Sequence, residues 1–373
     1  MTGAELEMID ADIHVYEPAS MWQYVDKAYR DRVVVIHHID DPLWREGIYD
    51  LTVDGHHVPR WLLGDRSKRF KGIYNMMREK FPPGSGFDAQ QYYKDVTIMG
   101  FSQVVIYPTM LLWAPFVPNI APDFAAALCR AYNDWLYDFC AADRKVLRPV
   151  AALPLQSIEA AIAEARRCAE RGFVGGFVRP NPIDGRTVGH PDFHPLYAVL
   201  QELQFPLGIH EGGMSHLPIL GEDRTQAQWG VHAMSHAFEQ MAAMISMLEH
   251  KVFDLFPKLH VLFLEAGSSL WVPYWLDRLD DEQEYAYRLS GAMKLKPSEY
   301  FARQCWATFE AADRYVKNAV DCIGDRGLMM TGDYPHAETS YDKTRGRMLA
   351  KGLTAESLHK VCAGNAKDAY PLL

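Results

Sequence analysis

The sequence predicts an α/β fold, a (β/α)8 TIM barrel with a sizeable insertion after its first strand. Eight short runs rich in Val, Ile, Leu and Phe recur along the chain, each followed by a helical or inserted segment. The runs are continuously apolar rather than alternating, as in parallel strands covered on both faces. Eight repeats of strand then helix close most simply into a barrel. A doubly wound open sheet is the competing arrangement, but it would carry a Gly-rich first turn, and Asp12-x-His14 stands in that place. No P-loop and no GxGxxG follows a strand.

Taken in order, the first strand contains Ile9-Asp10-Ala11-Asp12-Ile13-His14. Residues i and i+2 of a strand share a face, so Asp12 and His14 project together. On its own this pair reads equally as local strand-end hydrogen bonding. Residues 19–88 lack the α/β rhythm and form the insertion. Within it, 47–61 reads as a hairpin turning at Asp54-Gly55, and 71–81 as a helix stopped by Pro82-Pro83-Gly84. A stretch this long is read as a lid or an oligomer contact.

The rhythm then sets in. A helix over 89–100 precedes the strand at 104–108, and an amphipathic stretch over 122–144 leads to 146–154. An Ala-rich helix over 157–171 precedes 173–180, and 194–203 precedes 205–210. A long helical region over 232–256 leads to 260–267, then 270–287 to 305–309, and 311–322 to 327–333. A helix over 354–373 closes the chain.

At 373 residues, 49% hydrophobic and 23% charged, the chain can bury a substantial core as one barrel domain over 1–373. A net charge of −10 argues against a surface that tracks nucleic-acid phosphates. Six scattered cysteines without a C-x-x-C pair read as buried thiols in a reducing compartment. The acidic first residues lack a signal-peptide layout, and no apolar run approaches the roughly 20 residues needed to span a bilayer. A cytoplasmic protein acting on a small molecule is expected, with no nucleic-acid or membrane partner, as a homodimer or higher homo-oligomer.

Barrel chemistry gathers at the C-terminal ends of the strands. Those ends offer Asp12 and His14, Arg179 and Asn181, His210, Glu265, Thr308 and Glu310, and Asp333 followed by His336. Polar groups ending apolar strands are costly unless paired or liganded. Asp12, His14, His210 and Asp333 supply two imidazoles and two carboxylates, a set suited to one divalent ion, Zn2+ or Mn2+, with a position left for water. The fourth strand has Phe177-Val178-Arg179 and no lysine to bridge two metals, so one ion is the simpler reading.

These residues resemble a known family. The stretches DADIHVYEP, FPLGIHEGG, HVLFLEAGSSLWVPYWLDRLD, TGDYPH and CAGNAKDAY match in order the amidohydrolase-related (amidohydrolase 2) family, in its aminocarboxymuconate-semialdehyde-decarboxylase-like branch. The resemblance implies a barrel with one divalent metal at its mouth, Asp12 and His14 matching the strand-one ligands, His210 the strand-five ligand and Asp333 the strand-eight aspartate. Two positions depart from it. Asp12 stands where many members have histidine or glutamate, and Glu265 stands where the known decarboxylases carry a strand-six histidine.

The individual roles follow. Asp333 is a metal ligand and a proton acceptor from metal-bound water. Glu265 is an acid/base group or a structural carboxylate. His236, four residues after His232, is a proton carrier, a substrate contact or a structural residue. Arg179 is a partner for a substrate carboxylate or a salt bridge across the mouth. His336 lines the pocket or ends the turn, and Trp306, with Tyr107, Trp229 and Trp271, walls an aromatic substrate or packs. Because the strand-six histidine is absent, hydrolysis of a carboxylate- or carbonyl-bearing substrate ranks first, nonoxidative decarboxylation of an aromatic or unsaturated acid second, and a non-catalytic metal-binding barrel third.

Overall fold

The computed structural model describes residues 6–60, 64–290, 293–336 and 343–373. The strands, in chain order, are β1 (Ile9–Val15), then β2 (Val33–Ile36), β3 (Asp50–Val53) and β4 (His56–Val58) of the insertion. The others are β5 (Gln103–Pro108), β6 (Leu147–Ala152), β7 (Gly175–Val178), β8 (Leu207–His210), β9 (Val261–Leu264), β10 (Cys305–Glu310) and β11 (Leu328–Thr331). β1 and β5 to β11 form one eight-stranded sheet in chain order, every pairing parallel. The eight expected strands are all present, wound as a TIM barrel.

The seam between β1 and β11 is made differently from the rest. Against β5 the register of β1 slips between Asp10 and Ile13, and on the β11 side bonds from side chains join the two strands. Asp10 accepts the Gly332 N–H (2.7 Å) and the Asp12 N–H (3.2 Å). Thr331 Oγ1 donates to the Asp12 carbonyl (2.5 Å), and the His14 N–H donates to the Tyr334 carbonyl (2.8 Å). Burial pushes the Asp10 carboxyl up to about 6, against the pull of the Gly332 N–H.

Helices pack outside the sheet. Asn133, on the helix Pro122–Phe139, clasps β6 by accepting the Ala152 N–H (2.8 Å) and donating to the Ala152 carbonyl (3.1 Å). The helix in the insertion spans Arg66–Lys80, starting before the expected 71 because Asp65 caps it through the Lys68 N–H. The region expected as one helix over 232–256 is two, Gln228–Glu249 and Val252–Leu255, broken at Lys251 with φ 58°. The closing helix is interrupted by a wider turn over Lys360–Gly364. No described helix is long and apolar enough to cross a membrane.

The insertion is a small antiparallel sheet, β2-β3-β4, followed by the helix Arg66–Lys80. Its hairpin turns at Asp54-Gly55, both with positive φ, the conformation of a two-residue primed turn; Trp61, at its expected end, lies outside the described residues. β2 was not anticipated. Its VVVI run is β-branched but half exposed at an edge, so it lacks the alternation that marks a strand. Asp50, almost fully buried, holds Arg66 at 2.7 Å and so ties sheet to helix.

Beneath the mouth, Tyr107 of β5 meets Tyr370 from the closing segment, hydroxyl to hydroxyl, at 2.9 Å, and Tyr370 donates to the Ala11 carbonyl (2.8 Å). The Tyr107 ring lies against His210. This requires Gly208, where an added Cβ would sit 2.5 Å from the Tyr107 hydroxyl. Gly208→Ala is expected to lower unfolding free energy by about 1–3 kcal/mol through overpacking, measured by denaturant melts followed by circular dichroism.

Candidate metal centre and active-site cavity

The turns that leave the strands aim the mouth. Glu265 follows β9 with φ 48° and Asp333 follows β11 with φ 52°, both left-handed, a conformation non-glycine residues hold only when their surroundings fix it. Threonines do the fixing. Thr308 Oγ1 accepts the Glu265 N–H (2.9 Å) and donates to Asp12 Oδ2 (3.0 Å), while Thr331 Oγ1 accepts the Asp333 N–H (3.0 Å).

Four of the expected residues converge. His14 and His210 are fully buried and face each other, Nε2 to Nε2, at 3.1 Å. His14 Nδ1 lies 2.8 Å from the Pro108 carbonyl, and His210 Nδ1 pairs with the Glu211 carbonyl. A carbonyl only accepts, so each ring places its proton on Nδ1 and leaves a lone pair on Nε2. Two lone pairs at this distance repel until a cation sits between them. Asp12 Oδ1 lies 3.6 Å from His210 Nε2, buried with no hydrogen-bond partner among the described residues, and Asp333 Oδ1 lies 3.8 Å from His14 Nε2. Asp12, His14 and His210 present donor atoms within 4.8 Å of one another, as do His14, Glu265, Asp333 and His336. Bare imidazoles fixed by carbonyls, with an orphaned carboxylate oxygen, fit a divalent ion.

The electrostatics agree. Burial, then the neighbouring His336 and His210, hold the His14 imidazole well below its ordinary range, so it is neutral. Burial and the Glu265 charge push Asp12 well above the carboxylate range. Burial also lifts Asp333, to about 8, despite His336 beside it. Glu265 goes the other way. Burial would raise it, but His236 beside it leads the influences that outweigh this and hold it well below the usual range.

Glu265 Oε2 stands 3.0 Å from His210 Nε2, and Oε1 stands 3.7 Å from His236 Nε2. His336 stacks on His14, with Nδ1 2.8 Å from Asp333 and Nε2 3.1 Å from Thr109 Oγ1. These groups floor a cavity of about 360 Å³ whose lining includes His232, His236, Glu265, Glu310, Asp333 and His336. Its walls are apolar: Met110, Leu112 and Trp113 from the loop after β5, and Ile48, Tyr49, Phe70, Ile73 and Met76 from the insertion. Among the described lining residues there is no Lys or Arg.

Two expected substrate contacts are not brought to this cavity. Arg179 is buried with its donors engaged: Nε with Asn181 Oδ1 (3.0 Å), Nη1 with the carbonyls of Leu112 (2.6 Å) and Gly212 (3.0 Å), Nη2 with Glu211 Oε1 (2.8 Å). It braces the loops from beneath, so the salt-bridge reading replaces the substrate one. Trp306 lies near the start of β10, at the opposite end of the barrel, packed on His260 and under Arg326. Strand direction alone removes it from the mouth. Of the other aromatics, Tyr107 lies beneath His210, Trp271 packs on Phe263 and Trp229 is 80% exposed.

Two buried acids went unnoticed in the sequence. Glu211, directly after His210, takes Arg179 and Ser235 and faces His236 Nδ1 at 3.5 Å. Glu17 accepts the N–H groups of Thr109 (3.2 Å), Met110 (2.7 Å) and Leu111 (3.1 Å), fixing the loop that walls the cavity. Glu17 lies within the DADIHVYEP stretch and Glu211 within FPLGIHEGG, and that placement was the available signal.

Comparison with known proteins bears on this site. The amidohydrolase family model matches residues 108–372. The chain belongs to the amidohydrolase family. Within it, the chain is 25% identical over 216 residues to a 2-amino-3-carboxymuconate-6-semialdehyde decarboxylase of Dictyostelium discoideum, covering 57% of this chain and 58% of that protein. It is 27% identical over 281 residues to a gamma-resorcylate decarboxylase of Rhodococcus jostii, covering 68% and 82%. The barrel is also that of 5-carboxyvanillate decarboxylase from Novosphingobium aromaticivorans, solved with manganese and 4-hydroxy-3-methoxy-5-nitrobenzoic acid. There the TM-score is 0.70 at 20% identity, covering 100% of this chain and 99% of that one.

Two measurements check the electrostatic scaffold. Arg179→Met leaves Glu211 buried and uncompensated, and is expected to cost about 3–5 kcal/mol in a denaturant melt. Burial pushes Glu239 up to about 7 from 4.5, against the Leu220 N–H and with the Glu211 charge adding to the rise. Its folded-state value exceeds its unfolded one, so its contribution is whole below pH 4.5 and lost as pH rises through 7. Glu239→Gln removes that loss: across this window its stability relative to the parent should climb with pH, by at most about 3 kcal/mol.

Proposed function

We propose that this amidohydrolase is a nonoxidative decarboxylase of a small aromatic acid, with one divalent ion, Zn2+ or Mn2+, held by Asp12, His14, His210 and Asp333. The observation that carries the metal is the buried pair of bare imidazoles beside the unpartnered Asp12 oxygen. The reaction rests on the relatives, which are carboxy-lyases by name. They favour decarboxylation over the hydrolysis that the missing strand-six histidine had put first.

When bound, the ion supplies Lewis-acid polarisation of substrate oxygens and neutralises their charge. The protein supplies the rest. The bond between carboxyl carbon and ring carbon breaks, carbon dioxide leaves, and the electron pair left on the ring takes up one proton. Asp333, whose proton affinity burial raises, is the carboxyl group at the cavity floor that can hand it over. His336 positions Asp333, and His236 faces Glu265. With no Lys or Arg in the described lining, the acid's charge is met at the cavity floor, while Phe70, Ile73, Met76 and Trp113 take the ring and exclude water.

Incubating the metal-loaded protein with 2,6-dihydroxybenzoate, 5-carboxyvanillate and related acids should release carbon dioxide. Amides, esters and lactones tested alongside should be left intact. Asp333→Asn is expected to cut turnover by about 100-fold or more with an unchanged circular dichroism spectrum. Hydrolysis without carbon dioxide release, or full activity in that variant, would overturn the assignment. Metal binding without turnover of any of these substrates would instead favour a barrel that binds and does not react.

A further inference from the structure

The helix Gln228–Glu249 places His232 and His236 one turn apart, their rings 4.0 Å apart between centroids. Neither is one of the four strand-end ligands. His236 is 6% exposed, and its Nδ1 lies 3.0 Å from the His232 carbonyl, which can only accept. Nδ1 therefore carries a proton, and Nε2 is the ring atom left for a ligand. That nitrogen faces Glu265 Oε1 at 3.7 Å. The separation is too long for a hydrogen bond and close to what two ligands of one ion keep. His232, His236 and Glu265 each offer a donor atom, all within 4.8 Å of one another.

The other oxygen of Glu265 belongs to the first cluster. Oε2 stands 3.0 Å from His210 Nε2 and 3.9 Å from His14 Nε2. One carboxylate thus has an oxygen in each of two nitrogen-rich clusters, held there by a left-handed backbone that the Thr308 hydroxyl fixes. A histidine at this position would offer one nitrogen to one cluster; a carboxylate serves both.

We propose that the cavity binds a second divalent cation, seated on His232, His236 and Glu265 Oε1, with Glu265 bridging it to the ion of the strand-end site; this builds on the metal reading above. Two imidazoles and a carboxylate suit Zn2+, and the open side faces the cavity. The second ion enlarges the positive charge that meets an anionic substrate in a lining that has no described Lys or Arg. With one ligand on an exposed turn, it binds more weakly than the first.

The full chain, stripped with chelator, should be titrated with Zn2+ alone and the bound ion counted by mass spectrometry after equilibrium dialysis. Two ions per chain are expected. His232→Ala, at an exposed position, should keep its circular dichroism spectrum and hold one; Asp12→Asn should lose the other. Loaded with Mn2+, the parent should give the electron paramagnetic resonance spectrum of an exchange-coupled pair, and His232→Ala that of an isolated ion. Saturation at one ion, unchanged in His232→Ala, overturns the second site and leaves the first. Two ions in both parent and His232→Ala place the second ion elsewhere and overturn the proposal too. No ion at all removes both readings.

Discussion

The barrel closes where β1 meets β11, and the mouth depends on how that seam is made. There Asp10 holds the Gly332 N–H, Thr331 holds the Asp12 carbonyl, and the His14 N–H meets the Tyr334 carbonyl. Those bonds fix the first strand against the last at the point where each delivers a carboxylate. Asp12 and Asp333 are 321 positions apart in sequence, and only the seam makes them neighbours.

What the seam assembles is a charge arrangement that is incomplete as protein alone. The Pro108 and Glu211 carbonyls each take the Nδ1 proton of an imidazole, so both lone pairs point at one small volume. Buried carboxylates crowd the same volume, and burial first, then the Glu265 charge, raises the proton affinity of Asp12 and Asp333. In a low-dielectric interior such a set is destabilising unless protons or a cation neutralise it. Backbone carbonyls cannot release their hold by rotating away, so the barrel sets the tautomers before any ligand arrives.

Much of this was legible in the sequence because it rests on period and position. Continuous apolar runs mark parallel strands, and the residue that ends each run lies at the mouth; Asp12, His14, His210 and Asp333 were found that way. Arg179 shows where the method stops. A strand-end arginine looks available until Glu211, Asn181 and two carbonyls engage its donors, and those partners come from three separate segments. Trp306 failed for a simpler reason: it begins its strand rather than ending it. β2 escaped because an edge strand half in solvent needs no apolar alternation. The cap at Asp65 was visible in principle, as an aspartate just ahead of a helix-forming run.

The cavity is built from two stretches of chain with different obligations. Its floor comes from strand ends locked into the barrel, whereas Ile48, Tyr49, Phe70, Ile73 and Met76 of its wall lie outside the 108–372 span that the family shares. The insertion meets the body through contacts such as Arg60 with the carbonyl of Ser215, and its own fold is pinned internally by Asp50. Drift in the wall therefore need not disturb the floor. The face that the cavity turns toward a ligand is thus set in part by a segment that the family model does not match.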